Sequence, residues 1–216
     1  LLNAIQFHPT LAYEDFVRGW RPSGDGKLTL EDGIFLSIVN AAHADPGHNH
    51  IVVIEEINRG NLAQIFGELL TLLENSKRTP DEALELSYRR PGEEPVYLPE
   101  NLYIIGTMNL ADRSLAIVDF ALRRRFAFRN LEPNLNDAWR KWVSERNGIA
   151  DSFLAALAAR VDALNDTIAA DRSLGDQYRI GHSFFTPHGR APIDDPQGWL
   201  RQVVDAIGPD RTMVAP

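Results

Sequence analysis

The run Ile51-Val52-Val53-Ile54 is apolar at every position and closes on two acids, Glu55 and Glu56. A strand with no polar face asks for cover on both sides, which helices flanking a parallel sheet provide. Leu102-Tyr103-Ile104-Ile105 repeats the pattern and leads into Asn109. Between the two runs, Leu62, Ile65, Phe66, Leu69, Leu70 and Leu73 recur at helical spacing, with Asn61 where an N-cap belongs. Strands alternating with helices define an α/β fold class, here a three-layer αβα core around a parallel sheet.

The flanking sequence extends this reading. Leu1 to Phe7 forms a short strand, Ser23 to Lys27 a Gly/Asp turn, and Ile34, Phe35, Ile38, Val39 and Ala42 one helix face. Residues 84–98 alternate around Arg90-Pro91-Gly92 as a hairpin would. Asp119 to Leu122 is expected as a short helix ending in Arg123, Arg124 and Arg125, with Phe126 and Phe128 on a core strand. Past Leu131-Glu132-Pro133-Asn134, a linker, the character becomes helical. Asp151 or Ser152 caps a helix with Leu154, Leu157, Val161, Leu164 and Ile168 on one face, and a strand pattern returns only at Arg179 to Phe185. The domains are therefore expected at 1–129, an α/β core, and 130–216, a small helical unit.

Composition narrows the function classes. The 216 residues carry a formal charge of −8 and no cysteine. Disulfides and cysteine-ligated zinc are excluded, and a cytoplasmic setting is expected. The acidic balance argues against a broad nucleic-acid surface, which needs clustered positive charge. No apolar run approaches the ~18 residues of a membrane span. The opening LLNAIQFHPT is no signal peptide and reads as the middle of a protein.

The chemistry sits at element ends. Acids at a strand tip can hold Mg²⁺ through water and deprotonate an attacking water, although a solvated acid pair is the bland alternative. Asn109 can position water or phosphate, or serve as a turn residue. Asp112 and Ser114 fit a capping role, and Arg113 a plain surface charge. The arginines fit a helix C-terminus, or an arginine finger reaching a neighbouring subunit's site. His43, His48 and His50 cluster on a loop without metal-site spacing. The sequence contains no G-x-x-x-x-G-K-[ST] phosphate loop.

The stretches QFHPTLAYEDFVRGWRP, IVVIEEINRGNLAQIFGELLTLLE, LPENLYIIGTMNLADRSLAIVDFALRRRFAF and RIGHSFF together resemble the AAA+ NTPase domain of the McrB-type subunit of 5-methylcytosine-dependent restriction systems. That family groups with dynein-related and MoxR-like AAA proteins. The resemblance implies roles by position. Glu55 and Glu56 match the Walker B pair, Glu55 on Mg²⁺ and Glu56 as the activating carboxylate. Asn109 matches sensor 1, and Asn109, Asp112 and Arg113 belong to a signature loop facing a McrC-like nuclease subunit that completes the site. Arg124 and Arg125 fall in the arginine-finger region, with Arg123 not excluded, and Arg179 stands where a lid residue senses nucleotide.

The implied assembly is a hexameric ring that hydrolyses GTP or ATP and drives the nuclease on DNA, with DNA reading left to other domains. A MoxR-like protein-remodelling ATPase and a degenerate ring subunit without hydrolysis are the alternatives. Three departures stand out. Glu55 replaces the usual aspartate, the phosphate loop is missing, and Ile207 to Pro216 departs from the family's helical ending. The parent protein is thus expected to be a nucleoside-triphosphatase, and these 216 residues alone to be inactive.

Overall fold

A computed structural model describes residues 1–24, 26–109 and 123–207. The chain divides into two compact units, Leu1–Phe128 and Arg129–Pro216. In the first, β1 (Leu2–Gln6), β4 (His50–Glu55) and β5 (Leu102–Gly106) form a parallel sheet in the order β1-β4-β5. Glu55 pairs with Gln6, and Ile54 with Gly106, so the three carboxyl ends share one edge.

The apolar strands split their side chains between two faces. Val52, Ile54 and Leu102 are fully buried against α2 (Ile34–Ala44) and α3 (Leu62–Phe66). Phe16, on α1 (Tyr13–Phe16), stacks on Phe35 at 4.9 Å, with Phe66 edge-on to both. On the other face, Leu2, Ile51 and Tyr103 form one row and Ala4, Val53 and Ile105 the next. There Leu2, Tyr103 and Ile105 are at least half exposed. The cover expected on both sides is therefore present on one among the described residues.

A hairpin precedes α2, with β2 (Arg18–Pro22) antiparallel to β3 (Leu28–Asp32). The Gly/Asp turn between them was legible, but the strands were not. They are held by Arg18, a buried cation. Its Nε donates to Asp32 Oδ1 at 2.7 Å, and its two Nη groups donate to both oxygens of Glu93 at 2.6 Å. This guanidinium holds the Glu93 carboxyl below its ordinary range. Arg90 reinforces the tie by donating to Leu30 O at 2.9 Å.

The hairpin expected over 84–98 shrinks to one bridge, Leu84 with Val96. Carboxylates take the backbone donors that a longer ladder would use. Ser87 N donates to Glu68 Oε1 at 2.7 Å and Arg90 N to Glu93 Oε2 at 3.0 Å. The same Glu68 accepts the Tyr13 hydroxyl at 2.6 Å; burial, and then this neighbour, push the phenol well above its usual range.

Asn61 caps α3 as expected, accepting from Gln64 N at 3.1 Å. The long helix predicted from there stops at Phe66. Gly67 has φ +53° and ψ −132°, and a Cβ on it would lie 2.7 Å from the Tyr13 ring. The chain continues as a 3₁₀ helix, Gly67–Leu73, that still buries Leu69, Leu70, Leu72 and Leu73. Gly67→Ala is expected to destabilise the protein by about 1–3 kcal/mol, the usual cost of such backbone strain. A urea-unfolding midpoint equal to or above wild type would count against this account.

The second unit packs α4 (Asp137–Asn147), α5 (Asp151–Ala170) and α6 (Pro196–Ile207) around Trp139, Val143, Leu154, Leu157 and Phe185. Asn136 caps α4 by accepting from Trp139 N at 3.0 Å. The cap position of α5 is Ala150, with no side-chain bond, and Asp151 lies inside the first turn, where it pairs with Arg140 at 3.0 Å.

The strand expected at 179–185 is replaced by 3₁₀ turns at Asp176–Tyr178 and His182–Phe185. Buried Asn165 decides this. Its amide accepts from Ile180 N at 2.6 Å and donates to Ile180 O at 3.0 Å, so neither group is free for a ladder. No strand forms at 126–128; Phe126 packs on the first unit's core and Phe128 is exposed. No described helix is long and apolar enough to cross a membrane.

Candidate active site

The shared carboxyl edge of the sheet carries the polar residues singled out above. In open α/β sheets that edge is where ligands bind. Neighbours stitch the tip of β4 on both sides. Phe7 N donates to Glu55 O at 2.9 Å, and Thr107 N donates to Ile54 O at 2.9 Å. Thr107 then holds the turn that follows: its hydroxyl accepts from Glu56 N at 3.3 Å and its carbonyl from Ile57 N at 2.9 Å. The turn after β4 is thereby locked to the end of β5. Gly106 permits the approach, because a Cβ there would lie 2.9 Å from Ile57 Cδ1.

Glu56 adopts φ +53° and ψ +44°, and among the described residues it is the only non-glycine with positive φ. A left-handed glutamate is uncommon and costs of order 1 kcal/mol or more, so the surrounding bonds must hold it there. One carboxylate oxygen, Oε2, is buried without a hydrogen-bond donor, and Arg59 Nε stands 3.5 Å away. Glu55 is exposed at the strand tip. Asn58 adds a second buried oxygen without a donor, Oδ1. Asn109 follows three residues past β5, exposed at the same edge.

The structure therefore brings Glu55, Glu56 and Asn109 to one edge of the sheet. Thr107 and Asn58 belong with them, although sequence reasoning passed over both. The signal for Thr107 was its place between Gly106 and Met108-Asn109 at the end of a fully apolar strand. Asp112 and Arg113 lie outside the described residues. Arg124 and Arg125 both pair with Glu74, the residue that ends the segment begun at Asn61. Arg179 belongs to the second unit, where it pairs with Asp176 at 3.1 Å and keeps Nε buried without an acceptor.

Hard oxygen donors at this edge suit Mg²⁺. Among the described residues no group of three or more His, Asp or Glu could cage a metal.

Comparison with known families decides the assignment. Residues 2–126 match the AAA domain of the dynein-related subfamily. The chain belongs to the AAA family. Residues 156–208 of this AAA protein match the McrB alpha-helical lid domain, which makes it McrB-type. It is 42% identical over 208 residues to the type IV methyl-directed restriction enzyme EcoKMcrB subunit of Escherichia coli K12, covering 94% of this chain and 44% of that protein. It is 35% identical over 166 residues to the type II restriction enzyme BsuMI component YdiS of Bacillus subtilis 168, covering 61% of this chain and 48% of that one. The AAA chain thus spans about half the length of the curated relatives it matches. A solved putative ATPase from Cytophaga hutchinsonii aligns with 77% of the chain at 13% identity and a TM-score of 0.38.

Proposed function

We propose that this chain is part of a ring-forming AAA+ motor that hydrolyses GTP or ATP and drives a partner nuclease on DNA. The observation that carries the reading is Glu56. It sits in a strained backbone at a sheet's carboxyl edge, with one carboxylate oxygen buried, lacking a hydrogen bond and facing Arg59 Nε at 3.5 Å. Strain of this kind gathers at functional sites. The restriction-enzyme names of both curated relatives support the nuclease and the DNA.

Each residue then has a task. Glu56 takes a proton from the attacking water, a general-base role. Glu55 would hold Mg²⁺, which when bound neutralises charge on the phosphates. Asn109 orients the water, and Thr107 keeps Glu56 and Asn109 in register through its bonds to the acid turn. Arg124 acts in trans as the finger in a hexameric ring, because its guanidinium is exposed whereas that of Arg125 is buried. Asp112 and Arg113 meet a McrC-like partner, and Arg179 reads the nucleotide from the lid. The phosphate grip, backbone N–H groups and a lysine, comes from chain beyond these 216 residues. A cytoplasmic location accompanies this reading.

Turnover of the purified full-length protein tests it, measured with Mg²⁺ and either nucleotide, with and without the partner nuclease. Hydrolysis stimulated by the partner is expected, and none from the 216 residues alone. A full-length protein inert towards both nucleotides in the partner's presence would favour the degenerate ring subunit instead.

A further inference from the structure

Glu74 Oε1 receives two guanidinium groups, Arg125 Nη2 at 3.0 Å and Arg124 Nε at 3.5 Å. The two cations differ in their surroundings. The Arg125 side chain is 4% exposed and that of Arg124 is 67% exposed. Glu74 itself is well anchored, since it directly follows the 3₁₀ helix whose Leu69, Leu70, Leu72 and Leu73 are core residues. A buried guanidinium keeps its place only beside a fixed counter-charge, and its planar fork makes that place specific. With Arg125 drawn inward, the adjacent residue in the chain is left facing solvent.

We propose that Glu74 is a positioning residue for hydrolysis in the neighbouring subunit. By holding Arg125 in the core, it presents Arg124 at the surface to the triphosphate bound by the next copy of the chain. The inference rests on the reading above in which Arg124 acts in trans. It adds a mechanical link. The segment that begins beside a subunit's own acid turn ends on the carboxylate that aims the arginine it offers its neighbour.

The test uses full-length protein carrying Glu74→Gln, which keeps the size of the side chain and removes its charge. Turnover should fall about 100-fold, the usual result of a small misplacement of a catalytic group. Nucleotide affinity should stay near wild type, whereas the melting temperature should fall, because the buried Arg125 loses its counter-charge. Mixing these subunits with Glu56→Gln subunits should restore turnover. The Glu74→Gln subunit has an intact acid pair, and its neighbour supplies a well-held arginine.

Loss of turnover that mixing does not restore would make Glu74 a structural residue of its own subunit and overturn the inference. Wild-type turnover in Glu74→Gln with an inactive Arg124→Ala would overturn it while leaving the finger intact. Wild-type turnover in Arg124→Ala would remove the finger reading itself. Should Glu74→Gln not fold, the exchange E74R with R125E keeps one ion pair in reversed polarity. That exchange is expected to fold with turnover regained, and a folded, inactive protein not rescued by mixing overturns the inference.

Discussion

Glu56→Gln in the full-length protein is expected to abolish hydrolysis while leaving nucleotide bound. Glutamine matches glutamate in size and can occupy the same left-handed backbone, so the turn held by Thr107 should survive. What it cannot do is accept the proton of the attacking water. A positioned general base contributes about 10²–10⁴-fold, and kcat should drop by that factor with Kd for nucleotide little changed. Single-turnover hydrolysis and equilibrium nucleotide binding separate the two quantities. A kcat within a few-fold of wild type would remove Glu56 from the chemistry and return the acid pair to an ornament of the strand end. Glu55 should behave differently. It stands exposed at the tip of β4, and its loss belongs on the magnesium dependence rather than on proton transfer.

Arg124→Ala should lower turnover by about 10³-fold or more, the scale of trans-acting arginines elsewhere, without lowering the melting temperature. The reason for the second half is exposure: the Arg124 head group leaves no buried partner behind. Arg125→Ala should do the reverse in stability, because removing a buried cation strips Glu74 of its closer ion pair. Activity lost in Arg125→Ala beyond the loss of fold should match that of Glu74→Gln, since both release the hold on Arg124. Arg124→Ala mixed with Glu56→Gln should regain turnover, since each subunit supplies what its neighbour lacks. A stable Arg124→Ala with full turnover, beside an inactive but equally stable Arg123→Ala, would move the finger to Arg123.

Both substitutions fall in stretches that the sequence already singled out, yet the choices between neighbours came from the fold. Adjacent acids or adjacent arginines have the same chemistry on paper. Burial separates them: Arg125 turns into the core and Arg124 does not. The backbone of Glu56 was equally invisible, because a left-handed glutamate is a product of Thr107, 51 residues away in sequence. Thr107, Asn58 and Glu74 escaped notice for one reason. Each is set apart by a contact with a distant residue or by burial, which no local pattern encodes.

The same division runs through the rest of the chain. Local periodicity was enough for β1, β4, β5, α2 and α5, because each repeats its apolar residues at its own regular spacing. Asn61 was enough for the start of α3, because a cap acts on its own next residues. Tertiary contact prevailed elsewhere. The Tyr13 ring over Gly67 ended a helix whose apolar face continues to Leu73. Glu68 and Glu93 took the backbone donors of a hairpin, and Asn165 took those of a strand.

By itself the sequence determined the α/β class, the family and the edge at which the acids gather. These follow from repeating apolar patterns and contiguous motifs. Only the tertiary structure decided which acid is strained, which arginine is exposed and where each element stops, because those outcomes depend on side chains brought together from far apart in the chain.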